Sequence, residues 1–67
     1  MLVLTRKQGQ SIMIQLKPDV DPQTPVGELF AGGPIEISIL GRQGAQTRVG
    51  INADARFLIL RDELEGE

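Results

Sequence analysis

The 67-residue chain contains no cysteine, histidine, tryptophan or tyrosine, and Phe30 and Phe57 are its only aromatic residues. The missing cysteine excludes disulfides and thiolate zinc sites, and the missing histidine excludes Ser-His nucleophiles and imidazole acid–base catalysis. No apolar run approaches the roughly 18 residues of a membrane span, and no signal-peptide pattern opens the sequence. We therefore expect a cytoplasmic protein without metal, cofactor or catalytic residues, and not an enzyme.

The small size of the chain limits its core. A domain of about this length buries only about 60% of the surface that its unfolded chain exposes. Small domains usually compensate with disulfides, a bound metal or a partner chain. Since the composition excludes disulfides and zinc sites built from cysteine or histidine, we expect a second copy of the chain to complete the core.

Charge is distributed unevenly, although the net charge is only −2. Residues 1–14 and 34–61 each carry +2, whereas residues 15–33 carry −2 and residues 62–67 carry −4. The segments with strand character are thus basic, and the acidic residues concentrate in one middle stretch and the tail. A local positive patch of this kind permits phosphate binding in spite of a weak net charge.

Hydrophobic alternation predicts five short strands and an all-β, antiparallel fold. The strands cover residues 1–7, 11–16, 35–40, 46–52 and 56–60. The first two are predicted to form a hairpin around Gly9, and the third is predicted to point Ile37 and Ile39 inward. Gly50 in the fourth strand predicts a close approach of another backbone.

Residues 15–33 form a proline- and glycine-rich segment inserted between the second and third strands. Thr24 and Pro25 resemble a helix start, with threonine as the N-cap and proline at the first helical position. Val26, Leu29 and Phe30 would then form a short apolar stripe. A helix of at most two turns is predicted, and a structureless loop is the alternative.

Several motifs, in order along the chain, resemble the carbon storage regulator family (CsrA/RsmA). They are the opening Met-Leu-Val-Leu-Thr-Arg-Lys, then Gly9, Ser11-Ile12-Met13-Ile14, Ile39-Leu40-Gly41, Gln46-Thr47-Arg48-Val49-Gly50-Ile51-Asn52-Ala53 and Arg61-Asp62-Glu63-Leu64. The likeness covers nearly everything outside residues 15–31. The insertion, together with the short stretch after Arg61, resembles a variant branch that inserts a helix between the second and third strands instead of adding one at the C-terminus.

The resemblance implies a homodimeric bacterial translational regulator that binds GGA motifs in messenger leaders and is titrated by small regulatory RNAs. It implies neither DNA nor membrane partners. The family's RNA-binding positions fall on Leu4, Arg6, Lys7, Ala53, Ile59, Leu60 and Arg61. Asp54 stands where the family ordinarily has proline, which is expected to place a negative charge beside the RNA surface.

Simpler interpretations remain open beside the RNA hypothesis. Arg61 ends an apolar strand, so it could contact RNA or form a surface salt bridge with Asp62 or Glu63. Arg48 could pair across strands with Glu36. The whole chain could also be a small dimeric β protein-interaction module without RNA activity, because apolar outer strands suit a protein partner equally well.

Overall fold

The computed structural model describes residues 1–61, and the predicted acidic tail, residues 62–67, lies outside the described residues. The elements are β1 (Leu2–Lys7), β2 (Ile12–Leu16), α1 (Val26–Leu29), β3 (Glu36–Gln43), β4 (Gln46–Asn52) and β5 (Phe57–Arg61). The five predicted strands and the short helix are confirmed. β3 runs three residues further than predicted, because the chain reverses only at Gly44, whose φ is 61°.

The strands form two antiparallel sheets, one ordered β1-β4-β3 and the other a β2-β5 pair. The predicted hairpin of β1 and β2 is therefore wrong. The turn itself forms: Gly9 has φ 87°, and the Gln10 amide donates to the Lys7 carbonyl over 3.0 Å. The strands separate beyond it because β1 gains more by covering the apolar residues of β4, distant in sequence, than a two-stranded hairpin provides.

The core lies at the centre of the three-stranded sheet. Val49 and Ile51 in β4 are buried, with Leu4 opposite Val49 on one side and Ile39 opposite it on the other. The predicted inward orientation of β3 is wrong for a single chain, since Ile37 is 56% and Ile39 72% exposed. Both lie on the same sheet face as Val49 and Ile51, so this apolar face is buried at β4 and exposed to solvent at β3.

Gly50 is buried in β4, where the sequence predicted a close approach. A Cβ at this position would overlap the sulfur of Met1 and lie 3.2 Å from Cδ1 of Leu40. The predicted approach of another backbone is wrong, because the near atoms belong to the side chains of Met1, which precedes β1, and of Leu40 in β3.

Pro25, and not Thr24, occupies the cap position of α1, with φ −58° and ψ 136°. The predicted Thr24 cap is wrong because a preceding turn uses this residue. Its hydroxyl donates to the Asp21 carbonyl over 2.6 Å, and Asp21 Oδ1 accepts the Gln23 amide at 2.8 Å. Proline at this position lacks a side-chain acceptor, so the one-turn helix depends on packing rather than on a cap.

One residue of the predicted apolar stripe anchors α1. Leu29 is 7% exposed, whereas Val26 is 68% exposed and does not pack as predicted. Phe30 is 39% exposed and contacts Phe57, with ring centroids 5.6 Å apart and planes at 47°. The insertion is thus attached to the start of β5 through an aromatic pair and through Leu29.

We expect Leu29→Ala to lower the free energy of unfolding by about 2–5 kcal/mol, because it leaves a cavity beneath the insertion. Val26→Ala, on the same helix, should change it by no more than about 0.5 kcal/mol. Denaturant unfolding of both variants measures the difference. Equal effects would mean that α1 does not pack through Leu29.

Candidate nucleic-acid interface

Four cations, Arg6, Lys7, Arg42 and Arg61, gather where β1, β3 and β5 end; we call this region the basic end. Arg6 and Lys7 close β1, and Arg61 closes β5. Arg6 lies directly across from Thr47 on one side, and Arg42 lies directly across from it on the other. The pairing register therefore places two guanidinium groups in one row across the three-stranded sheet.

Arg6 is only 8% exposed, and its guanidinium joins the two sheets. Its Nε donates to the Thr5 carbonyl over 2.8 Å, and its Nη1 donates to the Ser11 carbonyl over 3.1 Å. Ser11 immediately precedes Ile12, whose Cα partner across the β2-β5 pair is Arg61. Arg6 thereby brings the end of β1 beside the end of β5.

A register shift in β3 places Arg42 in the basic end. Ile39 pairs with Val49 and Gly41 with Arg48, so one residue of β3 is inserted between them. An inserted residue reverses the alternation of faces, so Arg42 shares a face with Ile39 although their spacing is odd. Gly41 accommodates the bulge with φ 151°.

A cleft of about 720 Å³ opens between this sheet face and the start of β2. It is lined by Arg6, Lys7, Gln8, Gln10, Ile12, Ile37, Ile39, Arg42, Ala45, Thr47 and Val49. Arg61 shares the face of Ile12, because directly opposed residues of an antiparallel pair point the same way. Isoleucine and valine form the floor, Lys7, Arg42 and the glutamine amides form the rim, and Arg6 is buried in the wall. The cations of this surface suit the phosphates of single-stranded nucleic acid, and guanidinium planes can stack on its bases.

The structure divides the residues that the resemblance identified. Arg6, Lys7 and Arg61 meet at the basic end, and Leu4 and Ile59 are half-buried further along their strands. Ile59 lies on the same face of β5 as Arg61, and the intervening residue, Leu60, lies on the opposite face, across from Met13.

Ala53 is not brought to the basic end within one chain. It follows β4, whose opposite end at Gln46 pairs with Lys7. Seven residues of extended strand separate the two, or about 23 Å at roughly 3.3 Å per residue. A single chain therefore holds the predicted RNA-binding residues in two separate places.

Gln8, Gln10 and Arg42 line the cleft but were not identified from the sequence. Gln10 Oε1 accepts the Lys7 amide at 2.8 Å and so shapes the turn after β1. A signal for Arg42 was present, since a cation between Gly41 and Gly44 lies close to a chain reversal. The face of the sheet on which Arg42 lies depends on the bulge in β3, which the alternation of apolar and polar residues does not reveal.

The negative charge of Asp54 is compensated, because Nε and Nη2 of Arg56 bind the two oxygens of its carboxylate. Arg56 Nε donates to Oδ1 over 2.9 Å, Nη2 donates to Oδ2 over 3.0 Å, and the Arg56 amide donates to Oδ1 over 2.9 Å. These hydrogen bonds lower the pKa of Asp54 from 3.8 to about 2 and raise the pKa of Arg56. The expected negative charge is present but is neutralised in place.

The depressed pKa of Asp54 predicts a pH dependence of stability. The stabilisation is present above the ordinary pKa of 3.8 and is lost as the pH falls to about 2. In Asp54→Asn the group cannot ionise, so the difference in thermal midpoint between the variant and the unaltered protein should shrink across this window. Arg56→Gln should behave similarly. A difference that stays constant from neutral pH to pH 2 would contradict the pairing.

The suggested pairing of Glu36 with Arg48 is wrong. Glu36 lies opposite Asn52, whose Nδ2 donates to Glu36 Oε1 over 3.4 Å. Arg48 lies between Thr5 and Gly41 in the sheet. The hairpin of β3 and β4 turns after Gln43, which faces Gln46, and it therefore places Glu36 at the far end of β4.

Residues 1–61 contain neither a metal-binding cluster nor a membrane-spanning helix. Within that range, no three histidine, cysteine, aspartate or glutamate side chains form a group that could hold a metal ion. No helix in the same range has the length and apolar character needed to cross a membrane, the single described helix being four residues long.

Comparison with known proteins supports the resemblance seen in the motifs. Residues 1–67 match the model of the CsrA family, described as a global regulator protein family. Over 64 residues the chain is 39% identical to a protein named translational regulator CsrA from Leifsonia xyli subsp. xyli (strain CTCB07). The alignment includes 96% of this chain and 55% of the relative, so the chain spans about half the relative's length.

Proposed function

The chain belongs to the CsrA family of global regulators, and from this membership we propose that it is an RNA-binding translational regulator. In this proposal it recognises GGA motifs in messenger leaders and is titrated by small regulatory RNAs that carry the same motif. The basic end is the observation that carries the proposal, because it brings several cations together, and arginine guanidinium groups bind phosphates and stack on bases. This chemistry suits unpaired RNA bases and the phosphates between them.

In this proposal the protein acts as a homodimer. Ile37 and Ile39 are exposed on β3. An exposed apolar face on so small a domain favours association with a partner chain that buries it. A two-fold dimer makes both contact patches identical and generates two equivalent sites. It would also allow Ala53 of one copy to lie beside Arg61 of the other, which one chain alone does not achieve.

Selection of ligands from a random RNA pool tests the function most directly. We expect GGA to be enriched in unpaired segments, and affinity for a GGA hairpin to exceed that for a scrambled hairpin. Affinity should also fall steeply with salt, because cations that meet phosphates release counterions. A pool that evolves no common motif would contradict the proposal.

A protein-interaction module is the second candidate, and the exposed isoleucines of β3 favour it. A purely protein-binding module would show no salt-dependent RNA affinity. It would also keep its activity when Arg61 is replaced, because Arg61 lies on the β2-β5 pair and not on β3. The RNA titrations therefore separate the two candidates.

A further inference from the structure

Hydrogen bonds of Arg56 link the inserted segment to the turn before β5. While its guanidinium binds Asp54, Nη2 also donates to the Glu28 carbonyl over 3.0 Å, and Nη1 lies 3.4 Å from Glu28 Oε1. The contact between Phe30 and Phe57 adds an apolar attachment. The insertion is thus held in a fixed position against the 52–57 turn.

A cavity of about 230 Å³ lies between these two segments. Its lining residues are Leu29, Gly32, Gly33, Pro34, Asn52, Ala53 and Asp54. This volume is below the roughly 300 Å³ at which drug-sized pockets begin, and it is several times the roughly 30 Å³ that a water occupies. It has room for one planar ring system and not for a larger ligand.

The lining of the cavity suits a nucleobase. Pro34 and the edge of the buried Leu29 offer a small apolar surface to a ring. The amide of Asn52 offers an acceptor and a second N–H, besides the one that it donates to Glu36, for the edge of the ring. The cavity adjoins Ala53, one of the positions that the resemblance assigned to RNA. Because Arg56 neutralises Asp54, the carboxylate in the wall does not repel an approaching phosphate chain.

We infer that this cavity is a subsite for one unpaired base of the bound RNA, outside the GGA motif, and that the inserted segment forms half of it. The inference rests on the proposed function and extends it. The insertion would then lengthen the RNA sequence that the protein reads, besides covering the start of β5.

Gly32 allows the cavity to be filled without disturbing the fold. A Cβ built on Gly32 has no atom within 4 Å, and its φ lies outside the left-handed region. Gly32→Leu therefore projects a side chain into open space. Gly27→Leu is the matched control, because Gly27 is equally open but lies on α1 away from the cavity.

The test titrates three proteins, unaltered, Gly32→Leu and Gly27→Leu, with GGA hairpins in which each unpaired flanking nucleotide is made abasic in turn. For the unaltered protein we expect one flanking position where loss of the base weakens binding about 5- to 150-fold, the usual range for one stacked base. Gly32→Leu should lose the same factor on intact RNA and lose nothing further on that abasic RNA. Gly27→Leu should match the unaltered protein.

Two results would overturn the inference while leaving the proposed function in place. One is unchanged binding of every RNA by Gly32→Leu, and the other is a loss that persists equally on every abasic RNA. A change of oligomeric state in Gly32→Leu would also overturn it, by assigning the cavity to the partner chain. If the unaltered protein binds no GGA hairpin, the proposed function fails first and the subsite fails with it.

Discussion

Replacing Arg61 with alanine is expected to weaken binding of a GGA hairpin about 30- to several thousand-fold, the equivalent of roughly 2–5 kcal/mol for a charge-assisted contact in a partly desolvated site. Arg61 is exposed at the end of β5 and shares a face with Ile12, which lines the cleft. A guanidinium in this position can stack on a base and bind a phosphate together. Neutralising a phosphate alone would lower affinity for all RNAs similarly and reduce the salt slope by about one unit.

The fold should survive this substitution, because an exposed side chain leaves no cavity when it is removed. We expect the free energy of unfolding to change by no more than about 0.5 kcal/mol. Lys17→Ala is the control for charge: Lys17 follows β2 at the opposite end of the β2-β5 pair and is exposed. It should leave the preference for GGA over a scrambled hairpin intact. Equal GGA affinity in Arg61→Ala and unaltered protein would remove Arg61 from the site.

The strands could be predicted from the sequence because the alternation of apolar and polar residues follows the burial of one strand face. In β2, Ile12, Ile14 and Leu16 are less exposed than the residues between them, as their spacing predicted. In β4, Val49 and Ile51 share the buried face. These patterns are local, and a strand with one covered face must show them.

The pairing of the strands was not readable in the same way. The turn at Gly9 predicted a hairpin from local chemistry, whereas β1 pairs with β4 some forty positions away. The choice between partners depends on the apolar area each covers, which is a property of the assembled sheet. The bulge between Ile39 and Gly41 likewise leaves no mark in the alternation before it, and it decides where Arg42 points.

The candidate site came from the resemblance, and the structure added its electrostatics. Comparison with the family pattern predicted that Asp54 places a negative charge beside the RNA surface, because the pattern concerns that position alone. Arg56, two residues later, cancels this charge through a short turn in which its own amide also bonds the carboxylate. Aspartate commonly accepts the amide two residues on, so this part of the arrangement was available to sequence reasoning. The bond from Arg56 to the Glu28 carbonyl was not, because it requires the fold of the insertion.

Replacing Ile39 with glutamate is expected to abolish self-association. Ile39 is 72% exposed and lies opposite the buried Val49, so within one chain a charge at this position remains in water and costs little. In a dimer that covers this face the charge is buried without a partner, at roughly 3–5 kcal/mol each. A two-fold dimer buries two, so the dissociation constant should rise by at least about a thousandfold. Sedimentation over a concentration series measures the change.

Gln43→Glu is the control for this substitution, because it adds a charge to the same strand on the opposite face, across from Gln46. It should leave the dimer intact, whereas an Ile39→Glu protein that stays dimeric would place the interface elsewhere. The RNA titration of Ile39→Glu then tests how the site is built. Arg6, Lys7 and Arg61 are untouched in this variant, yet Ala53 lies about a strand length away from them in one chain. Because Ile39 also lines the cleft, a loss of GGA binding would have two causes, and retained binding is the decisive outcome. Retained binding in the monomeric variant would mean that the basic end of one chain is sufficient.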